Sequence, residues 1–168
     1  MPPAKGLGLL VHDVARLLRR RIDQKAQSIG LTSAQWRVLS AIARAEFRNE
    51  EAPKQAGIAE EMDLEPITLS RLVDRMETAG LIERRPDPND RRAHRLFLKD
   101  AARPLVSSFR EVATECINTA LAGVSNREVE EVVAILTRVR ANLSGKPETA
   151  TMPDAELQTL PPKKRQIS

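Results

Sequence analysis

The side chains of this sequence best placed to do chemistry are cations, and they are gathered in one place. Between Arg84 and Lys99 stand six strong bases (Arg84, Arg85, Arg91, Arg92, Arg95 and Lys99) against two acids, Asp87 and Asp90. The stretch before it, from Lys54 to Glu83, is acidic on balance. A net charge of +4 and a pI of about 9.6 favour a polyanionic partner. The asymmetry adds that attraction to phosphate belongs to one segment rather than to the whole surface. Catalytic equipment is another matter. The sequence holds no glycine-rich phosphate loop, no His-Glu-x-x-His run and no Cys-x-x-Cys pair, so we expect no enzyme, no cofactor and no metal site. The single cysteine, Cys116, cannot close an intramolecular disulfide, and with two histidines it leaves too few soft ligands for structural zinc.

Those cations need elements to carry them. The 168 residues, 41% hydrophobic and 30% charged, are enough for one core and exclude wholesale disorder. Aromatic side chains are limited to Trp36, Phe47, Phe97 and Phe109, while Leu, Val, Ile and Ala abound, which suits helices better than a β-sandwich. Leu7, Leu10, Val11, Val14, Leu17, Leu18 and Ile22 recur at helical spacing and predict an amphipathic helix over 7–28. Thr32 with Gln35, and Ser125 with Glu128, fit capping boxes that start helices at 33 and 126. Gly30, Gly80, Gly123 and Gly145 each follow an apolar helical pattern and mark helix ends. The last helix is expected over 126–143, and a long one before it runs to Gly123 with Asp100 as its cap and Pro104 inside its first turn.

Between these outer helices the pattern is finer. After a polar loop from Arg48 to Lys54, a short helix carries Ile58, Ala59 and Met62, a turn spans Asp63 to Glu65, and Pro66 opens a second helix with Leu69, Leu72, Val73 and Met76 on one stripe. Leu81–Arg85 and Ala93–Leu98 are β-compatible and joined by Pro86-Asp87-Pro88-Asn89-Asp90, which is turn chemistry. Two short helices followed at once by a charged ribbon make a winged helix-turn-helix, whose second helix can enter a major groove. The fold class expected is mainly α with a small two- or three-stranded β-wing. Residues 1–30 supply an N-terminal dimerisation helix, 31–99 the winged helix-turn-helix, 100–144 the C-terminal dimerisation helices, and 145–168 a disordered tail. The outer helices carry apolar stripes broader than the small lobe can cover, so a homodimer is expected.

The run GIAEEMDLEPITLSRLVDRMETAGLIERRPDPNDRRAHRLFL, residues 57–98, resembles the winged helix-turn-helix of the MarR (multiple antibiotic resistance regulator) family, and DQKAQSIGLTSAQWRVL before it is similar to the SlyA-like branch. The resemblance extends over roughly 7–143, and its most specific pieces are LSRLVDRMETAGLIER and the Asp-x-Arg wing signature at Asp90-Arg91-Arg92. It implies a homodimeric transcription regulator, mostly of the repressor type, that holds palindromic promoter sites on double-stranded DNA and is released by a small aromatic carboxylate or its coenzyme A thioester. Two departures stand out. Glu65-Pro66-Ile67 opens the second helix where relatives commonly place a Ser or Thr cap, and a tail with Lys163-Lys164-Arg165 runs past the usual end.

In that frame Thr68, Ser70, Arg71 and Arg75 on the second helix, and Arg84, Asp90, Arg91, Arg92 and Arg95 on the ribbon, are the candidate DNA-binding residues. Arg71 is placed for base reading and Arg92 for the minor groove. Asp90 is expected to orient an arginine or brace the turn, since phosphates repel a carboxylate. The plainer account of the helix has Asp74 and Glu77 neutralising Arg71 and Arg75 on a solvated face. The resemblance also implies a ligand pocket touched by His12, Arg16, Trp36, Leu39 and Phe109, with plain core packing as the competing account of Trp36. Cys116 falls on an apolar stripe and is expected to be a buried, inert thiol. The N-terminal residues lack a long apolar core and a cleavage site, and no run of 18 apolar residues occurs, so no membrane association and a cytoplasmic location are expected. A DNA-architectural protein without ligand control is the alternative function, and a winged-helix scaffold for protein contact is disfavoured by the bases at 84–99.

Overall fold

A computed structural model describes residues 6–144. In chain order these form α1 (Leu7–Ser28), α2 (Ser33–Phe47), α3 (Gln55–Met62), α4 (Pro66–Thr78), β1 (Ile82–Pro86), β2 (His94–Leu98), a 3-10 turn at Asp100–Ala102, α5 (Arg103–Ala120) and α6 (Asn126–Ser144). The fold is mostly helical with a two-stranded antiparallel wing. The expected tail, with Gly145 and the Lys163-Lys164-Arg165 run, lies outside the described residues. The chain divides into two compact units, Met1–Cys116 and Ile117–Ser168.

The first unit is organised around one apolar cluster. Helix α2 is its centre: Val38, Leu39 and Ile42 are almost wholly buried. Its start is fixed by the expected capping box, in which the Gln35 amide donates to Thr32 Oγ1 at 3.3 Å and the Thr32 amide donates to Gln35 Oε1 at 2.9 Å. Against it pack Ala26 of α1, Ile58 and Met62 of α3, the Leu69, Leu72, Val73 and Met76 stripe of α4, Ile82 and Leu96 of the ribbon, and Phe109 and Ala113 of α5. Each large side chain so buried stabilises the unit by about 1.5–3 kcal/mol. Cys116 is fully buried.

The α3–α4 turn is made by Asp63, which takes a left-handed backbone (φ 54°) while the Leu64 amide returns to the Ala59 carbonyl at 2.9 Å. Short Asx side chains tolerate that region better than most. Pro66 then occupies the first helical position, where its missing N–H costs nothing. At the other end of α4, Gly80 (φ 71°) lets the Leu81 amide reach the Met76 carbonyl at 3.0 Å and turns the chain directly into β1. Gly30 and Gly123 are left-handed as well.

The ribbon pairs Ile82 with Leu98, Arg84 with Leu96 and Pro86 with His94. Its β2 strand departs from simple alternation: Arg95 and Leu96 are both buried. The reason is a third piece of extended chain on its outer edge, where Lys54 bridges to Arg95 and the Leu96 amide donates to the Pro53 carbonyl at 3.0 Å.

The start of α5 corrects the sequence expectation. Asp100 does not cap the helix with its side chain; it opens the 3-10 turn, and its carboxylate accepts from Arg103 Nε at 3.2 Å. The 3-10 turn reverses the chain first, which leaves Pro104 free in the opening turn of α5.

In the second unit, Ser125 and Glu128 form the expected capping box at the start of α6, with 2.8 Å and 3.4 Å amide bonds. No residue of α6 is buried, and Val132, Ile135, Leu136, Val139 and Leu143 are exposed. Helix α1 likewise exposes Leu7, Leu9, Leu10, Val11, Val14 and Leu17. Among the described residues no helix is long and apolar enough to cross a membrane, and no three His, Cys, Asp or Glu side chains gather as a metal site.

Candidate nucleic-acid interface

With its stripe of Leu69, Leu72, Val73 and Met76 in the core, α4 turns Ile67, Thr68, Arg71, Asp74 and Arg75 to the outside. Ile67 is 62% exposed, out of phase with the stripe. Sequence reasoning passed over it, although its phase was visible. Ser70 is only half-buried and its carbonyl is occupied from within.

The acids of α4 do not serve Arg71 and Arg75. Asp74 and Glu77 both face Arg84, whose guanidinium reaches Asp74 Oδ1 at 2.6 Å and Glu77 Oε2 at 2.7 Å. The same group donates to Gln55 Oε1 at 3.0 Å and to the Ser70 carbonyl at 3.2 Å, while the Arg84 amide donates to Glu77 Oε1 at 2.9 Å. That amide, first, and the guanidinium hold the Glu77 carboxyl below the usual range against the opposing effect of burial and of Asp74. Among the described residues no carboxylate pairs with Arg71 or Arg75. The plainer account of the helix therefore does not hold.

Arg84 was expected at DNA, and so was Arg95. The structure engages both inside the lobe. The Arg95 side chain is 10% exposed; its Nε meets Asp87 Oδ2 at 2.5 Å, its second nitrogen donates to the Ala52 carbonyl at 2.9 Å, and its third pairs with Glu51 at 2.7 Å. Asp87, with no exposed side-chain surface, also accepts the Asn89 amide at 2.9 Å and lies 3.5 Å from Lys54 Nζ. Burial pushes its carboxyl up, but the Asn89 amide, Arg95 and Lys54 outweigh that and hold it below the ordinary range. Arg84 shares the inward register of Ile82 and Leu96, whereas Arg95, across from Arg85 on the other face of the ribbon, is closed in by the loop ahead of α3; in both places a planar five-donor group satisfies several acceptors at once. A positive run in sequence does not reveal which of its members point inward. The roles of Asp87, Gln55 and Glu77 as partners of these arginines were missed as well: Glu77 and Asp87 meet theirs seven and eight residues away, and Gln55 meets Arg84 from twenty-nine residues away.

The wing turn keeps the remaining expected cations outside. Asp90 braces it: its carboxylate accepts the Arg92 amide at 3.0 Å and its carbonyl accepts the Ala93 amide at 2.9 Å. Arg91 and Arg92 are exposed, and no carboxylate among the described residues pairs with either. Arg85 lies over the Phe97 ring at 4.2 Å and pairs with Glu83. His94 is exposed at the base of the turn. The interface thus presents two pairs of uncompensated cations, one on the helix and one on the wing.

The expected ligand residues do not come together. Trp36 stacks on Phe109, with ring centroids 4.6 Å apart, and donates Nε1–H to Asp23 at 2.8 Å, while Leu39 is 2% exposed. These three are packing, because an aromatic pair with a satisfied indole N–H fills the junction of α1, α2 and α5. His12 and Arg16 lie instead on an open concavity along α1 with Ala15, Arg19, Arg20 and Asp23. Arg16 pairs there with Asp13 at 3.0 Å. Burial, and then the like charge of Arg19, push the guanidinium of neighbouring Arg37 down.

Comparison with known proteins bears on the fold that carries these residues. The model of the MarR family matches residues 29–93, from the end of α1 through the wing turn. Transcriptional regulator PA3341 is 31% identical, with a TM-score of 0.72 over 83% of this chain and 99% of that one. The chain belongs to the MarR family. This MarR-family chain also shares its fold with more distant structures. A MarR family regulator from Rhodococcus sp. RHA1 is 22% identical, with a TM-score of 0.68 over 83% of this chain and 95% of that one. A mutant MarR from E. coli, complexed with operator DNA, is 22% identical with a TM-score of 0.63 over 79% of this chain and 92% of that one.

Proposed function

We propose that this MarR-family regulator is a repressor that binds palindromic promoter DNA as a homodimer, with α4 in the major groove and the wing over the adjacent backbone. We also place it in the SlyA-like branch on residues 23–39. The observation that carries the reading is the pairing pattern: Arg71, Arg75, Arg91 and Arg92 are exposed and have no carboxylate partner among the described residues, while Asp74, Glu77 and Asp87 beside them are held by Arg84 and Arg95. Uncompensated cations on a recognition helix and a wing tip are the charge arrangement that releases counterions from phosphate. Arg71, in the first half of α4, reads a base edge, Arg75 and Thr68 contact backbone, and exposed Ile67 meets a thymine methyl. Ser70 adds a hydroxyl at the same end. Arg92 enters the minor groove with Arg91 on phosphate.

The test compares Arg71→Ala and Arg92→Ala on two duplexes, one selected by the wild-type protein from a randomised pool and one of random sequence. Arg71→Ala should cost about 1–3 kcal/mol on the selected site and relax its specificity, whereas Arg92→Ala should weaken both complexes and flatten their salt dependence. Equal loss on both duplexes for Arg71→Ala would remove base reading from that position.

Release by a small aromatic anion is part of the same reading, with the anion over the cationic concavity of α1 rather than among Trp36, Leu39 and Phe109. His12, Arg16, Arg19 and Arg20 supply the charge there. An anion beside Arg19 also relieves its repulsion of Arg37. Aromatic acids and their coenzyme A thioesters, screened by thermal shift and by gel shift on the selected duplex, should both stabilise the protein and weaken the complex. Stabilisation with unchanged DNA affinity would favour a ligand-independent architectural protein.

A further inference from the structure

Arg84 divides the charges of α4. Arg71, Asp74 and Arg75 all face outward, and in an isolated helix Asp74 would be placed to pair with Arg71 three residues away. In the folded lobe Asp74 is drawn instead to Arg84 on β1 at 2.6 Å, and Glu77 is held by the same guanidinium at 2.7 Å. The Arg84 side chain is 18% exposed, shielded in a crook between α3, α4 and β1, with Gln55 Oε1 and the Ser70 carbonyl taking its other N–H groups. Four of its five N–H groups are taken up inside the lobe, and through them it controls two carboxylates on the helix that faces it. We propose that Arg84 is a positioning residue for DNA binding, which masks Asp74 and Glu77 so that Arg71 and Arg75 meet phosphate and bases uncompensated.

The inference rests on the reading of α4 as the DNA-facing helix, and it adds a role that a simple brace would not have. A brace only ties α3, α4 and β1 together. A mask changes the field felt by DNA, so removing Arg84 should matter less once the two carboxylates are neutral. A double-mutant cycle separates the two.

Four proteins are measured by fluorescence anisotropy on a labelled random-sequence duplex of about 30 base pairs, roughly three helical turns: wild type, Arg84→Met, Asp74→Asn/Glu77→Gln, and the triple variant. Arg84→Met should weaken binding about tenfold, and adding the two neutralising substitutions should recover most of that loss. With Arg84 present the same two substitutions should change affinity less than about threefold, because the guanidinium already holds both carboxylates away from Arg71 and Arg75. Equal gains in both backgrounds, or a triple variant as weak as Arg84→Met, overturn the proposal. Circular dichroism reports whether Arg84→Met is folded. If it is not, Arg84→Lys replaces it in the cycle: its single ammonium cannot hold both carboxylates, so binding should fall and the neutralising pair should restore it, with failure to restore it again decisive. Arg71→Ala on the selected duplex guards the underlying reading. If it binds as wild type does, the assignment of α4 to DNA fails and the mask with it. If it binds weakly while the cycle shows no coupling, the mask alone fails.

Discussion

Asp87 shows how one side chain can set the geometry of a wing. It lies between two prolines in the turn, yet its carboxylate is shielded from solvent and collects the Asn89 amide, Arg95 and Lys54. Through Arg95 it also reaches the loop ahead of α3, at Glu51 and the Ala52 carbonyl. Because its folded-state carboxyl is held below the ordinary range, this cluster contributes stability that is complete above that range and is lost as pH falls through the lowered value. Asp87→Asn should therefore be less stable than wild type at neutral pH, leaving Arg95 and Lys54 short of a counterion. The gap between the two proteins should narrow in acid. Thermal melts from neutral to strongly acidic pH check this; a constant gap would mean that Asp87 acts by shape and not by charge.

Single elements are held by local devices that are nearly independent of the rest. The Thr32–Gln35 box at the start of α2 is exposed, so Thr32→Ala should lower stability by about 0.5–2 kcal/mol without altering DNA binding, read by urea unfolding and anisotropy together. Such devices are why so much of the architecture was legible in the sequence. Capping boxes, a proline at the first position of α4 and left-handed glycines act over a few residues, and the apolar stripes of α1, α4 and α5 have a period that survives without tertiary context. What could not be read was the destination of long side chains. Arg84 and Arg91 are the same residue type in the same basic run, and only the pleat of β1 and the position of α4 send one inward and leave the other at the tip. The same holds for Asp100, where a 3-10 turn replaced a side-chain cap, and for Trp36, whose junction with Phe109 depends on α5 returning from more than seventy residues away.

At the scale of the whole molecule the exposed apolar side chains are the outstanding feature. Leu9 of α1 is 75% exposed and Leu143 of α6 is 84% exposed, and each belongs to a helix with several more. Patches of this kind mark contact surfaces, and a second copy is the occupant expected if the chain reads a palindrome as proposed. Sedimentation at micromolar concentration should give a dimer, and a monomer would remove that expectation. Two-fold symmetry would then set the two α4 helices about 34 Å apart, one turn of DNA.

The pairing of Trp36 with Phe109 also gives the protein a built-in optical reporter. The chain has one tryptophan and no tyrosine, so its near-ultraviolet emission comes from a single indole at the junction of α1, α2 and α5. That indole is stacked on a phenyl ring and tethered to Asp23. Any event that slides α1 along α2, or parts either from α5, must change the colour or lifetime of that emission, and the same protein can be followed through unfolding, DNA capture and effector binding without an added dye.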